Sequence, residues 1–382
     1  MEGQTLNTVL AAIGRREMAV NTTFELDPQS ISERLYDAGV AGAGGAGFPS
    51  GAKWEKLDDV HSLLVNHQES EPNYYSDVWL ADDRAEEFAA FFEAMIEEGL
   101  FDRIVVGTKQ KYRDEWTTEF EAACDAAVYH EDDLPADLDD EEGIVFAYTG
   151  ETYDFSEEQV LLMITAGERI GRDLPTDHGW LVHNTETLWN VRNALADETP
   201  VTRKYVHVDG DTPVHRCLEV PLGTTAADLL EAADLPPDEL PDDAVLLDGG
   251  PGWSYAIDED PRAFGTRKRT NAVMVLDEAT VEEHTEQEDR VNVLEERDWY
   301  AREHETEPTT LEPESVRIPL ITNAAYDGLV TPGDPTVEPG DSVSRGDVVA
   351  ERTDGSISNN HHASIDGVVS EVTETHVVLE SE

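Results

Sequence analysis

The run Ala38–Lys53, AGVAGAGGAGFPSGAK, constrains this chain more than any other stretch. It holds six glycines within 13 residues, Gly39 to Gly51, and follows an amphipathic segment, Ile31 to Tyr36. A backbone with so many positions lacking Cβ presents unobstructed N–H groups, so a phosphate or a flat ring can come close to the main chain. Lys53 closes the run and is one of only six lysines, which singles it out as a phosphate partner. Flexible turns and tight packing use the same residues, so the run alone leaves both readings open. Two nucleotide-binding patterns are disfavoured. Gly51-Ala52-Lys53 is followed by Trp54, unlike GxxxxGK[ST], and no clear strand precedes the glycines as in a standard dinucleotide fold.

The charge balance decides which partners to discard. Asp and Glu number 84 against 26 Lys and Arg, a formal net charge of −58. Such a surface repels phosphate backbones and anionic lipid, which argues against nucleic-acid and membrane-surface binding. The acidic residues are spread over nearly every surface-like stretch, as in a haloarchaeal-type composition adapted to high salt, where the Debye length shrinks to about 3 Å at 1 M. No apolar run reaches the length of a membrane span, and the N-terminus, MEGQTLNTVLAAIGRREM, lacks a basic start followed by an apolar core. The expectation is a cytoplasmic protein with no direct membrane insertion. The two cysteines, Cys124 and Cys217, stand in no CxxC pattern. That excludes a disulfide framework, a four-cysteine zinc site and a cysteine-ligated iron–sulfur cluster built by this chain alone. Both read as buried small hydrophobes.

Four units follow along the chain. Residues 1–200 read as α/β. Strand-like runs at His61 to Asn66, Arg103 to Gly107, Gly143 to Tyr148 and Trp180 to His183 alternate with helical patterns at Arg84 to Glu98, Tyr112 to Ala127 and Glu158 to Thr165. The acidic stretch His130 to Glu142 reads as a solvated loop. Residues 201–276 give strand, turn, strand, a helix over Ala226 to Ala233 capped by Thr224 or Thr225, and a return strand at Val245 to Leu247, a β-grasp-like order. Residues 277–315 are heavily charged and read as a linker with helical patches. Residues 316–382 are all-β in style, broken by Pro-Gly and Asp-Gly turns, and predict a small barrel or sandwich.

Four ordered blocks then carry a resemblance. Gly42-Ala43-Gly44-Gly45-Ala46-Gly47-Phe48-Pro49-Ser50 through Lys53-Trp54 resembles the flavin loop of the complex I flavin subunit and its relatives RnfC and PduS. Asn66-His67-Gln68-Glu69-Ser70-Glu71-Pro72 with Asp77, Phe155-Ser156-Glu157-Glu158-Gln159 and Asn184-Thr185-Glu186-Thr187-Leu188 resemble that family's later blocks in the same order. Residues 203–252 resemble the SLBB β-grasp module, and Asn360 to Gly367 the barrel-sandwich segment of PduS, whose domain order this chain is closest to.

The resemblance implies a Rossmann-like FMN-binding α/β domain, an SLBB β-grasp module and a C-terminal barrel-sandwich hybrid domain. It implies that Gly44, Gly45 and Gly47 lie against FMN, that Lys53 meets its phosphate, and that Asn66, Glu69, Asn184 and Thr187 hydrogen-bond the flavin or ribityl groups. It also implies that Phe48 offers a face for stacking the nicotinamide or its adenine, and that Glu157 or Glu158 accepts ribose hydroxyls of the dinucleotide. Each has a structural alternative: carboxylates at a helix N-terminus stabilise the dipole by about 0.3–1 kcal/mol without a ligand, Phe48 suits a core, and Asn184 suits a helix cap.

The implied activity is hydride transfer from NAD(P)H to FMN, then electron delivery to a quinone, a corrinoid or a ferredoxin-type partner. Where PduS and RnfC carry two CxxCxxC motifs, this sequence has the cysteine-free stretch 277–315, so a bound flavin is expected to pass electrons straight to an acceptor, to a partner's cluster, or nowhere useful. Ala43 stands where complex I has an arginine. His361 and His362, neighbours with no further ligand-rich spacing, are not read as a metal site. The sandwich offers no lysine to carry a prosthetic group and reads as a docking or scaffolding module. A non-catalytic ligand-binding or assembly protein of the same descent is the alternative of a different class.

Overall fold

The computed structural model describes residues 28–138, 141–326 and 328–381. The N-terminal stretch read above for a leader lies outside them. Helix α1 (Pro28–Asp37) leads into the glycine run, which ends in the short α2 (Ser50–Trp54). There follow β1 (Ser62–His67), α3 (Ser76–Asp83), α4 (Ala85–Glu97), β2 (Arg103–Lys109), α5 (Thr118–Ala123), β3 (Ala127–Tyr129) and β4 (Gly143–Thr149). Helix α6 (Glu158–Ala166), β5 (Trp180–Asn184) and α7 (Thr185–Ala196) complete the unit. All five strands pair in parallel, in the order β3-β4-β2-β1-β5. Side-chain alternation splits the core: Leu63, Val65, Ile104, Val106 and Phe146 face one helical layer, while Leu64, Val105, Val145 and Ala147 face Leu161 and Leu162 of α6. From β1 the chain moves to one side for β2 to β4 and returns on the other side for β5. The crevice beyond the carboxyl ends of β1 and β5 is therefore the topological switch point, where such sheets bind ligands.

The four sequence-read strands form within a residue or two of their expected places. The helix read over Tyr112 to Ala127 does not form as one piece. A tight turn (Gln110–Tyr112) and a π-helical turn (Arg113–Thr117) precede α5, and Ala127 already belongs to β3. The Thr118 hydroxyl donates to the Arg113 carbonyl at 2.5 Å, and Arg113 grips Glu121, so local side-chain bonds compete with the regular ladder. The acidic stretch read as a solvated loop buries Ala136 and Leu138 against the sheet.

The second unit is a mixed sheet of β6 (Arg203–Gly210), β7 (Arg216–Pro221), β8 (Ala244–Gly250), β9 (Trp253–Ala256), β10 (Ala272–Asp277) and β11 (Thr309–Thr310), ordered β11-β7-β6-β10-β8-β9. Helix α8 (Ala226–Ala232) covers one face with Leu229 and Leu230, and Thr225 caps it reciprocally with Asp228. The stretch read as a linker covers the other face: α9 (Glu278–His284) and the chain after it lay Val281, Val291, Val293 and Trp299 onto Leu247, Met274 and Leu276. A sheet apolar on both faces needs that cover.

The third unit holds β12 (Ser315–Pro319), β13 (Asp334–Pro335), β14 (Ser342–Val343), β15 (Val348–Glu351), β16 (His361–His362), β17 (Gly367–Val372) and β18 (His376–Glu380). They form two small sheets, β12-β18-β17-β14 and β13-β15-β16, around Val316, Ile318, Val349, Val369 and Leu379. Both cysteines are buried and free. Among the described residues no helix is long and apolar enough to cross a membrane.

Candidate functional site

The crevice at the switch point opens into a cavity of about 490 Å³. Ten of the residues singled out from sequence line it: Gly44, Gly45, Phe48, Lys53, Asn66, Glu69, Glu157, Glu158, Asn184 and Thr187. Gly47 does not. It sits at φ +65°, and a Cβ there would fall 2.8 Å from the Thr322 carbonyl and 2.9 Å from Asn323 Cβ, so it faces the C-terminal unit.

The floor is built by α7 and the glycine run together. Asn184 caps α7, its Oδ1 accepting from Thr187 N at 3.0 Å, so the cap alternative and a place in the cavity both hold. The Thr187 hydroxyl accepts from Ala43 N at 2.9 Å and donates to Asn184 Oδ1. A Cβ on Gly44 would fall 2.8 Å from Asn184 Nδ2, so only glycine lets the loop settle this closely on the cap. A Cβ on Gly45, at φ +93°, would meet nothing within 4 Å, and Gly45 lines the cavity. Asp77 locks the same corner, accepting from Asn184 Nδ2 at 3.2 Å and Glu186 N at 3.0 Å. Below, Glu186 and Lys204 form an ion pair with both side chains buried.

Lys53 and the acidic turn meet at the rim. Lys53 Nζ donates to Glu158 Oε1 at 2.9 Å and to the Val182 carbonyl at 3.1 Å, which holds its charge at the cavity edge. Asn66 Nδ2 donates to the Ser156 carbonyl at 2.7 Å, joining β1 to that turn. Glu157 is solvent-exposed on the rim, and its carboxyl is raised, first by desolvation and then by Asp154.

Three carboxylates dominate the electrostatics, Glu69, Glu71 and Asp77, the last pushed well up by burial and then by Glu69. Burial pushes Glu69 and Glu71 each up to about 7, against backbone hydrogen bonds that pull them down. Glu69 accepts from Asp77 N at 2.9 Å, while Glu71 accepts from Tyr153 Oη at 2.8 Å and Gly252 N at 2.9 Å. Lys109, lowered to about 8 by burial and by Lys111, donates to the Glu69 carbonyl at 2.9 Å. Carboxyls in this range can hold or release a proton near neutrality.

Several lining residues went unread as site residues: Glu71, Asp77, Tyr153, Trp253, Tyr255, Arg269, Asn323 and Tyr326. Glu71 and Asp77 stand in the same block as Asn66 and Glu69, a usable signal. Trp253, Tyr255 and Arg269 come from the second unit, and Asn323 and Tyr326 from the third, with no local pattern to mark them. Arg269 donates to Asp248 at 2.6 Å, and its Nε is buried without a partner. Trp253 is 42% exposed at the mouth, with the Arg290 guanidinium 4.5 Å from its ring centroid.

A parallel sheet with a glycine-floored cavity at its switch point defines a nucleotide- or flavin-binding class, and comparison with known proteins narrows it. Residues 35–193 match the Nuo51 FMN-binding domain, and residues 300–382 match the RnfC barrel sandwich hybrid domain. These two matched segments are similar to the superfamily that joins the complex I flavin subunit, RnfC and PduS. The chain is 31% identical over 227 residues to cobalamin reductase PduS of Citrobacter freundii, covering 59% of this chain and 45% of that protein. It is 28% identical over 236 residues to a subunit of the ion-translocating oxidoreductase complex of Pseudomonas aeruginosa, covering 60% of this chain and 28% of that protein. The chain thus spans less than half the length of these curated relatives. Its fold resembles a chain of an NAD+-reducing [NiFe]-hydrogenase in the H2-reduced state, with a TM-score of 0.51 and 24% identity over 66% of this chain and 47% of that one.

Proposed function

We propose that this chain is an FMN-dependent, NAD(P)H dehydrogenase-like electron-transfer protein or subunit that works with a separate redox partner. The observation that carries the reading is the cavity at the switch point, where ten sequence-marked residues converge within the segment matching the FMN-binding domain. The residues present fit FMN. Gly45 lines the cavity, Asn66 and Asn184 supply amides, Lys53 is cationic at the rim, and Arg269 Nε is a buried donor without a partner. FMN bound there supplies a hydride acceptor able to pass electrons on singly or in pairs.

The chain's own groups bind, orient and handle protons. Lys53 would meet the phosphate, and Gly44 and Gly45 would lie against the cofactor. Asn66, Glu69, Asn184 and Thr187 would fix its polar edge. Phe48, Glu157 and Glu158 would face the nicotinamide substrate. Glu71, held by Tyr153 Oη and Gly252 N, is placed to store a proton at its carboxyl. The relatives named as a cobalamin reductase and as part of an ion-translocating oxidoreductase complex support a corrinoid or a complex-bound acceptor as the electron sink.

Anaerobic NADH or NADPH added to the FMN-loaded protein in molar salt should bleach the flavin absorbance. No bleaching with either would leave a binding or assembly role and end the dehydrogenase reading. Lys53→Ala should weaken FMN retention by about tenfold, the loss of one charge-assisted contact, measured by flavin fluorescence after dialysis. Unchanged retention would contradict the phosphate assignment.

A further inference from the structure

The C-terminal unit reaches into the cavity. Its turn after β12 places Asn323, Ala325 and Tyr326 on the lining, more than 270 residues along the chain from the glycine loop they meet. Asn323 grips both sides of that junction: Nδ2 donates to the Ala46 carbonyl at 2.8 Å, and Oδ1 accepts from Ala325 N at 2.9 Å. Gly47 is pressed against Thr322 and Asn323 on the same side. Elsewhere the unit is tied down by Lys268 Nζ to the Asn360 carbonyl at 2.8 Å, Asn359 Nδ2 to the Val40 carbonyl at 3.0 Å, and Ser364 Oγ to the Leu222 carbonyl at 2.6 Å.

The Tyr326 ring stands 5.4 Å from the Phe48 ring at 71°, an edge-to-face corner on the cavity surface. Its phenol is raised by burial and by Glu158, with Arg269 opposing, and all three side chains line the same cavity. Hydride transfer requires the nicotinamide to lie face to face with the flavin. One face of that ring is therefore taken, and the second flat group of the dinucleotide, adenine, needs a platform of its own.

We propose that Tyr326, contributed by the C-terminal unit, is a specificity-determining residue that with Phe48 forms the aromatic corner receiving the adenine ring of the nicotinamide dinucleotide. This rests on the dehydrogenase reading above. It makes the C-terminal unit part of the substrate site, beyond the docking or scaffolding role read from its sequence.

The test compares NADH with reduced nicotinamide mononucleotide, which lacks adenine, as reductants of the flavin-loaded full chain. In Tyr326→Ala the ratio of kcat/KM for NADH to that for the mononucleotide should fall about tenfold, the scale of losing one aromatic partner of a base. Tyr326→Phe, which keeps the ring, should recover most of that loss. An unchanged ratio in Tyr326→Ala overturns the proposal, as does a Phe variant as impaired as the Ala variant. Flavin content is read on each variant. If Tyr326→Ala does not fold with flavin, Asn323→Ala, which frees the turn from Ala46, should lower the same ratio, and an unchanged ratio there overturns the proposal too. Wild-type protein that neither NADH nor the mononucleotide reduces would fail the dehydrogenase reading itself, a result distinct from these.

Discussion

The floor and the outer wall of the cavity are built by opposite means. The floor is local: the glycine loop, the end of β1 and the start of α7 all belong to one parallel sheet, and Asn184, Thr187 and Asp77 bind one another within it. The wall is assembled at long range, with Trp253, Tyr255 and Arg269 from the second unit and Asn323 and Tyr326 from the third. The floor lies within one unit, whereas the wall exists only when three units are docked. On the proposed function, selectivity for what approaches the cofactor would belong to the interfaces between units.

The largest effect should come from breaking the floor. Gly44→Val drives a side chain into Asn184 Nδ2, already 2.8 Å from where a Cβ would stand. Overpacking of this kind costs about 1–3 kcal/mol, and flavin affinity should fall by tenfold to about a hundredfold, read by fluorescence titration. Retention at the wild-type level would show that the loop can move off α7.

Glu71 joins floor to wall through Gly252, and its titration gives the next effect. Its folded value, about 7, lies above the ordinary 4.5, so the folded state holds the proton more tightly than the unfolded chain. The stabilising contribution is full below 4.5 and is lost as pH rises through 7. In molar salt the stability of wild type relative to Glu71→Gln should decline by about 3 kcal/mol between acid and pH 8, measured by chemical denaturation across pH. Parallel pH profiles for the two proteins would contradict it.

The smallest effect should come from the wall alone. Trp253→Ala removes an exposed ring at the mouth and should raise KM for NADH about threefold, within the range for a partly solvated aromatic contact, with a smaller change in kcat. A loss of flavin instead would mean that the wall also holds the cofactor.

The same contrast explains what the sequence could say. Asn66 to Asp77 and Asn184 to Leu188 are contiguous because a strand end and the helix cap after it are neighbours in the chain, so the floor was legible almost residue by residue. Gly47 was read with its neighbours, yet its glycine answers to Thr322 and Asn323 in another unit. Tyr326 lies in a short turn without periodicity, and nothing local marks it as facing Phe48. The stretch 277–315 reads as a charged linker with helical patches because its anchors, Val281, Val291, Val293 and Trp299, are few and far apart in a heavily charged stretch, although they bury together on one sheet face. The acidic composition hid Glu69 and Glu71 in the opposite way, since among 84 carboxylates nothing in their type separates a buried pair from the surface.

The most direct test of the account is the flavin content of the chain purified in molar salt. The account predicts close to one FMN per chain, or uptake of added FMN to that level, released by acid as the mononucleotide. Protein that carries no flavin and takes up none from excess FMN would contradict it.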